Sequence, residues 1–245
     1  DRIYEVKRNM GDIHAFLEMH IEQGNNLYSS DTDIGIVEGI VGLKWWDVTV
    51  KGFTNHAGTT PMNQRKDAMI AASKFVLMVN ETVNSYEGSQ VGTVGRISAE
   101  PGVPNVIPGI VNLSLELRDL SSKKISMVYN KILENTKIIE EETKTKFSFS
   151  PIDAVTGDPA LMDRRIINIL TEVSNDLGYS FMLMPSGAGH DAQSMALIAP
   201  TAMIFAPSKD GISHSPKEYT DFEMLEKTSN VMLNTILKID KVELN

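Results

Sequence analysis

The chain has five histidines and no cysteine, so any metal ion it holds must sit on His, Asp or Glu. All but His14 lie in Gly- or Ser-bounded turns at the ends of expected strands, where ligands bind in α/β proteins. His20 follows an apolar strand and opens the run His-Ile-Glu-Gln-Gly; on its own it reads either as a hydrogen-bonded core histidine or as one that faces a ligand. His214, in Gly211-Ile-Ser-His-Ser-Pro216, follows the strand ending at Ala206 and leaves the same two readings open. His56, in Asn55-His-Ala-Gly-Thr-Thr-Pro-Met62, either caps a turn or polarises a carbonyl whose oxygen becomes an oxyanion during acyl transfer. His190 belongs to Gly187-Ala-Gly-His-Asp-Ala192, where glycines permit close backbone approach and a helix start offers free N–H groups to an anion. His14 has no such setting and reads as a surface or packing residue.

Two further residues bear on ligand recognition. Arg118, in Leu115-Glu-Leu-Arg-Asp-Leu120, presents a fork of donors that suits a carboxylate, or else pairs structurally with Asp119 or Glu116. Asn105, in Pro104-Asn-Val-Ile-Pro108, reads by itself as a turn residue.

The elements that must position these residues are legible in the hydrophobic pattern. Ala15 to Ile21 is a short apolar strand ending at a Gln23-Gly24 turn. The alternation from Trp46 to Lys51 marks a strand with one wet face. Asp67 to Val83 sets Ala68, Ala71, Ala72, Phe75, Val76 and Val79 on one side at helical spacing. Strands follow at Val91 to Ile97 and Ile110 to Leu117, then a helix from Lys123 to Thr143 capped by Ser121 or Ser122, then a strand from Lys146 to Ser150. That βαββαβ order is the ferredoxin-like split βαβ arrangement. Beyond it, helix 162–177, strand 181–184, helix 192–197, strand 201–206 and helix 221–239 resume an α/β layer. The expected organisation is a βαββαβ insert at 45–152 between two pieces of a larger α/β domain, 1–44 and 153–245. The flanking pieces are too few to close a doubly wound sheet, and a start at Asp1 rather than Met gives the expectation of a processed or truncated chain.

Composition narrows the function classes. With 42% hydrophobic and 22% charged residues the chain is of ordinary globular type. Lys and Arg number 23 against 32 Asp and Glu, a net charge of -9 without a basic stripe, which argues against nucleic acid as a partner. No apolar run approaches the roughly 20 residues of a membrane span. The lack of cysteine fits a cytoplasmic location.

Five motifs occur in one order: His-Ile-Glu-Gln-Gly, Asn-His-Ala-Gly-Thr-Thr-Pro-Met-x-x-Arg-x-Asp-Ala, Asn-Val-Ile-Pro, Gly-Ala-Gly-His-Asp-Ala and Gly-Ile-Ser-His-Ser-Pro. Together, from about Ala15 to Tyr219, they resemble the N-carbamoyl-L-amino-acid hydrolase and allantoate amidohydrolase family. The resemblance implies the C-terminal part of a zinc-aminopeptidase-like catalytic domain, interrupted by a smaller lid domain that also forms a homodimer. It implies two divalent metal ions, which His and carboxylate ligands allow to be zinc, manganese, nickel or cobalt.

By the same resemblance His20 is a ligand of one metal and His214 of the other, and Gln23 lies close to the substrate. His56 stabilises the tetrahedral oxyanion, reaching the active site of a partner subunit. Asn105 and Arg118 hold the substrate carboxylate, and the backbone at Gly189 and the side chain of His190 line the same pocket. The family draws its remaining ligands and its general base from a segment preceding the one that matches His20, so the isolated chain is expected to be inactive. Glu22, inside the first motif, is expected to be structural. The substrate is then a ureido acid, an N-carbamoyl-L-amino acid or allantoate. An aminoacylase or dipeptidase, or a fragment that only dimerises, stand as alternatives.

Overall fold

The computed structural model describes residues 2–244 as a mixed α/β protein. It opens with β1 (Phe16–Ile21), α1 (Asn26–Ser29) and β2 (Ile34–Ile40). The middle of the chain forms β3 (Gly42–Lys51), β4 (Asn55–His56), α2 (Ala68–Asn84), β5 (Val91–Thr93) and β6 (Ile97–Glu100), followed by β7 (Val106–Ile107), β8 (Ile110–Asp119), α3 (Ser122–Thr143) and β9 (Lys146–Pro151). It ends with β10 (Ala160–Leu161), α4 (Arg164–Asp176), β11 (Phe181–Ser186), α5 (Asp191–Met195), β12 (Thr201–Ala206) and α6 (Phe222–Ile239). Two compact units result, one running to Val41 and resuming at Ala160, the other spanning Gly42–Pro159. These boundaries lie outside the expected 45 and 152. β3 already pairs with β8 at Gly42↔Asp119, and Leu43 exchanges backbone hydrogen bonds with Gly157, which keeps both ends with the second unit.

In the first unit the strand order is β1-β12-β2, with β10 and β11 also on β2. All six residues of β12 are buried, the outcome expected of the continuous apolar run Thr-Ala-Met-Ile-Phe-Ala in a central strand. β1 lies parallel beside it, with His20 opposite Phe205 and Ile21 opposite Ala206. On α4, Ile166, Ile167, Leu170 and Val173 are buried at helical spacing and join Ile34, Ile36, Ile204 and Phe205 in one core. Asp163 caps that helix by accepting the Arg165 backbone N–H at 2.9 Å.

The second unit is an antiparallel sheet of order β5-β8-β3-β9, with β6 also on β8 and the helices α2 and α3 supplying the other half of the core. The two central strands are joined along ten residue pairs, from Gly42↔Asp119 to Lys51↔Ile110. β8 alternates without a break: Val111, Leu113, Leu115 and Leu117 are buried with the helices, leaving Asn112, Ser114, Glu116 and Arg118 on the opposite face. The expected strand Val91–Ile97 is two short ones, because the backbone leaves the ladder between Thr93 and Ile97 while the Arg96 carbonyl still accepts the Ser114 N–H at 3.1 Å. Among the described residues no helix is long and apolar enough to cross a membrane.

Candidate active site

The turn that leaves β1 is built by Glu22. Its backbone N–H donates to the Ala206 carbonyl at 2.9 Å, tying the turn to the end of the parallel partner strand. Its buried carboxylate accepts the N–H groups of Asn26 and Leu27, at 2.8 and 2.9 Å, and so caps α1. Glu22 is thus structural, as expected. Gln23 adopts a left-handed φ of 59°, and its N–H donates to Ser208 Oγ at 3.0 Å. Gly211, at φ +68°, packs on this turn so closely that a Cβ there would stand 2.8–2.9 Å from Gly24 and Asn25 atoms. Only glycine satisfies both conditions.

That packing brings the loop after β12 onto Gln23. The Gln23 amide Nε2 donates to Ser213 Oγ at 3.2 Å and lies 3.4 Å from His214 Nε2. Ser213 Oγ in turn donates to Glu218 Oε2 at 2.8 Å, and the His214 N–H donates to the same oxygen at 3.1 Å. These two bonds hold the Glu218 carboxyl below its ordinary pKa, helped by the fields of His214 and His20. The His20 ring donates from Nδ1 to the Ile21 carbonyl at 2.9 Å, since a carbonyl only accepts. In the neutral ring Nε2 then carries the lone pair, the arrangement in which a backbone carbonyl orients a metal-ligating histidine. Among the described residues no group of three or more His, Asp or Glu side chains stands ready to hold a metal.

His190 lies underneath. Its ring meets His20 edge-on at 4.7 Å between centroids and Phe205 at 5.6 Å, and its Nε2 is 2.9 Å from Ser186 Oγ. The side chain is 3% exposed and packs against His20. Burial, reinforced by the neighbouring charge of His20, lowers its pKa to about 4. The free helix start expected for an anion is already taken: Glu18 Oε2 accepts the Ala192 N–H at 2.7 Å, and Glu18 Oε1 stands 3.7 Å from His190 Nδ1. Gly189, beside it, is exposed, with open room at its Cα apart from Gln193. Glu18 shares one face of β1 with His20 two residues on, a period-two signal that sequence reading passed over. His14 is exposed and donates to the Ile239 carbonyl at 3.2 Å.

A second cluster belongs to the other unit. His56 pairs with Val106 across β4 and β7, and the Ala57 N–H donates to the Asn105 carbonyl at 2.9 Å, so His56 and Asn105 share one loop pair. Gly58 N–H donates to His56 Nδ1 at 3.0 Å, which makes the neutral imidazole an Nε2–H donor. Arg65, the arginine of the same motif, staples the loop by donating to the carbonyls of Thr60 and Ala57.

Arg118 is placed elsewhere. It donates from Nε to Glu116 Oε1 at 2.7 Å on the helix-free face of β8. Asn105 precedes the Ile110 end of that strand, and the eight residue steps from Ile110 to Arg118 span about 26 Å. Arg118 thus lies toward the far end of β8 from the His56–Asn105 loops.

The chain matches Peptidase family M20/M25/M40 over residues 3–238. It is 35% identical over 239 residues to an N-carbamoyl-L-amino-acid amidohydrolase of a Pseudomonas species, which covers 97% of this chain and 57% of that protein. An allantoate amidohydrolase of Bacillus subtilis is 37% identical over 229 residues, 93% of this chain and 55% of the relative. The crystal structure of an amidase of the hydantoinase/carbamoylase family from Burkholderia multivorans matches with a TM-score of 0.86 at 32% identity, over 93% of this chain and 55% of that one. The chain spans little more than half the length of the proteins it resembles.

Proposed function

The chain belongs to peptidase family M20/M25/M40, among the N-carbamoyl-L-amino-acid and allantoate amidohydrolases, and from that membership we propose that it carries part of the active site of a metal-dependent amidohydrolase. The substrate is an N-carbamoyl-L-amino acid or allantoate, and the bond cleaved is a C–N bond of the ureido group. The observation that carries this reading is the meeting of Gln23 and His214, on the turns that leave the two adjacent parallel strands β1 and β12, with His20 at the end of β1.

In this reading His20 Nε2 and the His214 ring each bind one of two divalent ions, with zinc, manganese, nickel or cobalt all compatible with imidazole and carboxylate donors. Such ions, when bound, polarise the ureido carbonyl and lower the pKa of the attacking water. Gln23 orients the substrate from beside His214. His56 donates its Nε2–H to the oxygen that gains negative charge as the carbamoyl carbon becomes tetrahedral. Arg118 binds the substrate carboxylate through its planar fork, exchanging part of its pairing with Glu116. Gly189 and the supporting His190 shape the wall next to His20.

The length of β8 supports a homodimer. His56 and Asn105 sit at one end and Arg118 at the other, so a second copy supplies the His56–Asn105 pair to the site that uses this chain's Arg118. The second unit is then a lid and dimerisation domain inserted in a zinc-aminopeptidase-like catalytic domain. Two histidines are too few to close a two-metal site. We therefore assign the remaining ligands and the general base to sequence outside these 245 residues, in keeping with the greater length of the relatives.

The test is metal content and ammonia release from N-carbamoyl-L-amino acids and allantoate, with N-acyl amino acids as controls. It compares this chain with a polypeptide extended upstream to the length of its relatives. About two metal ions per extended chain, with turnover of ureido but not acyl substrates, are expected. Turnover by the 245 residues alone, or none by the extended protein, refutes the reading.

A further inference from the structure

Glu218 is exposed and four residues beyond His214, yet one of its oxygens organises the whole turn. Oε2 alone accepts both the Ser213 hydroxyl, at 2.8 Å, and the His214 backbone N–H, at 3.1 Å. His214 stands at φ 55°, a left-handed conformation that a residue with a Cβ holds only when its surroundings enforce it. The Ser213 hydroxyl, its proton committed to Glu218, keeps its lone pairs for the Gln23 amide, which donates to it at 3.2 Å. His214 and Gln23 come from segments 191 residues apart, and this acceptor chain joins them.

We infer that Glu218 is a positioning residue that locks His214 and Gln23 into one rigid unit, aiming the His214 imidazole at a divalent cation and the Gln23 amide at the substrate. The inference rests on the active-site reading above for what His214 and Gln23 face; the clamp itself rests on the hydrogen bonds. Because a single oxygen takes both donors, an amide oxygen in its place keeps both bonds, and a methyl group keeps neither. The role is therefore one of hydrogen-bond geometry, and Glu218→Gln should rescue what Glu218→Ala loses.

The experiment uses isotope-labelled protein extended upstream to the length of its relatives, first metal-free and then titrated with zinc ion alone, comparing wild type with Glu218→Ala, Glu218→Gln and Ser213→Ala. In the metal-free state Glu218→Ala is expected to remove hydrogen-exchange protection at the His214 amide and to shift the Gln23 side-chain amide signals, with Glu218→Gln near wild type. Ser213→Ala should shift Gln23 alone. On zinc addition, the His214 ring response should need about tenfold more zinc in Glu218→Ala, the scale of losing an outer partner of a metal ligand, and no more than about twofold more in Glu218→Gln. Equal behaviour of the Ala and Gln variants, whether both intact or both impaired, overturns the inference. If zinc leaves the wild-type His214 ring unmoved, the metal reading of the site fails instead, and the clamp is judged by exchange and Gln23 signals alone. Since Glu218 is exposed, circular dichroism of the Ala variant should match wild type, separating local loosening from unfolding.

Discussion

Burial of His190 against His20 and Phe205 does more than brace a neighbour, because it ties proton binding to folding. The imidazole is neutral in the folded protein down to about pH 4, whereas an unfolded histidine takes up a proton near pH 6.5. Between those values the unfolded chain binds more protons, so stability rises with pH across the window and is lost as pH falls from 6.5 toward 4. The expected loss is on the order of 2–3 kcal/mol in metal-free protein, measured by urea unfolding at pH 7 and pH 4.5, and His190→Gln should flatten the dependence. At this scale the sequence disclosed the histidines and the order of their motifs, but not what holds them. Glu18 and Glu218 look like surface acids in a chain with 32 acidic residues. Their roles depend on partners at Ala192 and Ser213 that only the folded loops bring near. For Asn105 and Arg118 nothing local reveals that they stand toward opposite ends of β8.

At the scale of elements, local signals were strong where a cap and a period agreed. Asp67 Oδ1 accepts the N–H groups of Met69 and Ile70, at 2.9 and 3.3 Å, and α2 begins one residue later with Ala68, Ala71, Ala72 and Phe75 on its buried side. Replacing Asp67 by Ala should cost about 1 kcal/mol in a denaturant titration, and Asp67→Ser should recover most of it. Where tertiary context decides, the pattern was silent. β2 escaped notice because Gly35 and Gly39 dilute its apolar run. Gly35 is needed there, since a Cβ would fall 2.8 Å from Met184 Sδ and 3.0 Å from Phe205 Cβ. The break between β5 and β6 was equally hidden, since Val91 to Ile97 alternates acceptably and only the ladder with β8 shows that the edge has come apart.

The described residues form two hydrophobic cores with no residue in common, one around Ile34, Ile166, Leu170 and Phe205, the other around Val48, Phe75, Leu113 and Ile132. A polypeptide of residues 42–159 alone is therefore expected to unfold cooperatively, with a helix and strand content by circular dichroism matching α2, α3 and the antiparallel sheet. A broad, non-cooperative transition contradicts this. The hydrophobic pattern disclosed the existence of this second unit, while its limits needed the pairing of Gly42 with Asp119 and of Leu43 with Gly157. Those limits meet: a Cβ on Gly42 would fall 2.6 Å from Pro159 Cδ, so the unit's first and last residues touch. A segment whose ends coincide can be gained, lost or exchanged as one cassette, since splicing it out leaves a gap that a short peptide spans. A single recombination event between relatives would thus replace the Arg118 strand and the His56 loop together, while His20 and His214 stay with the host.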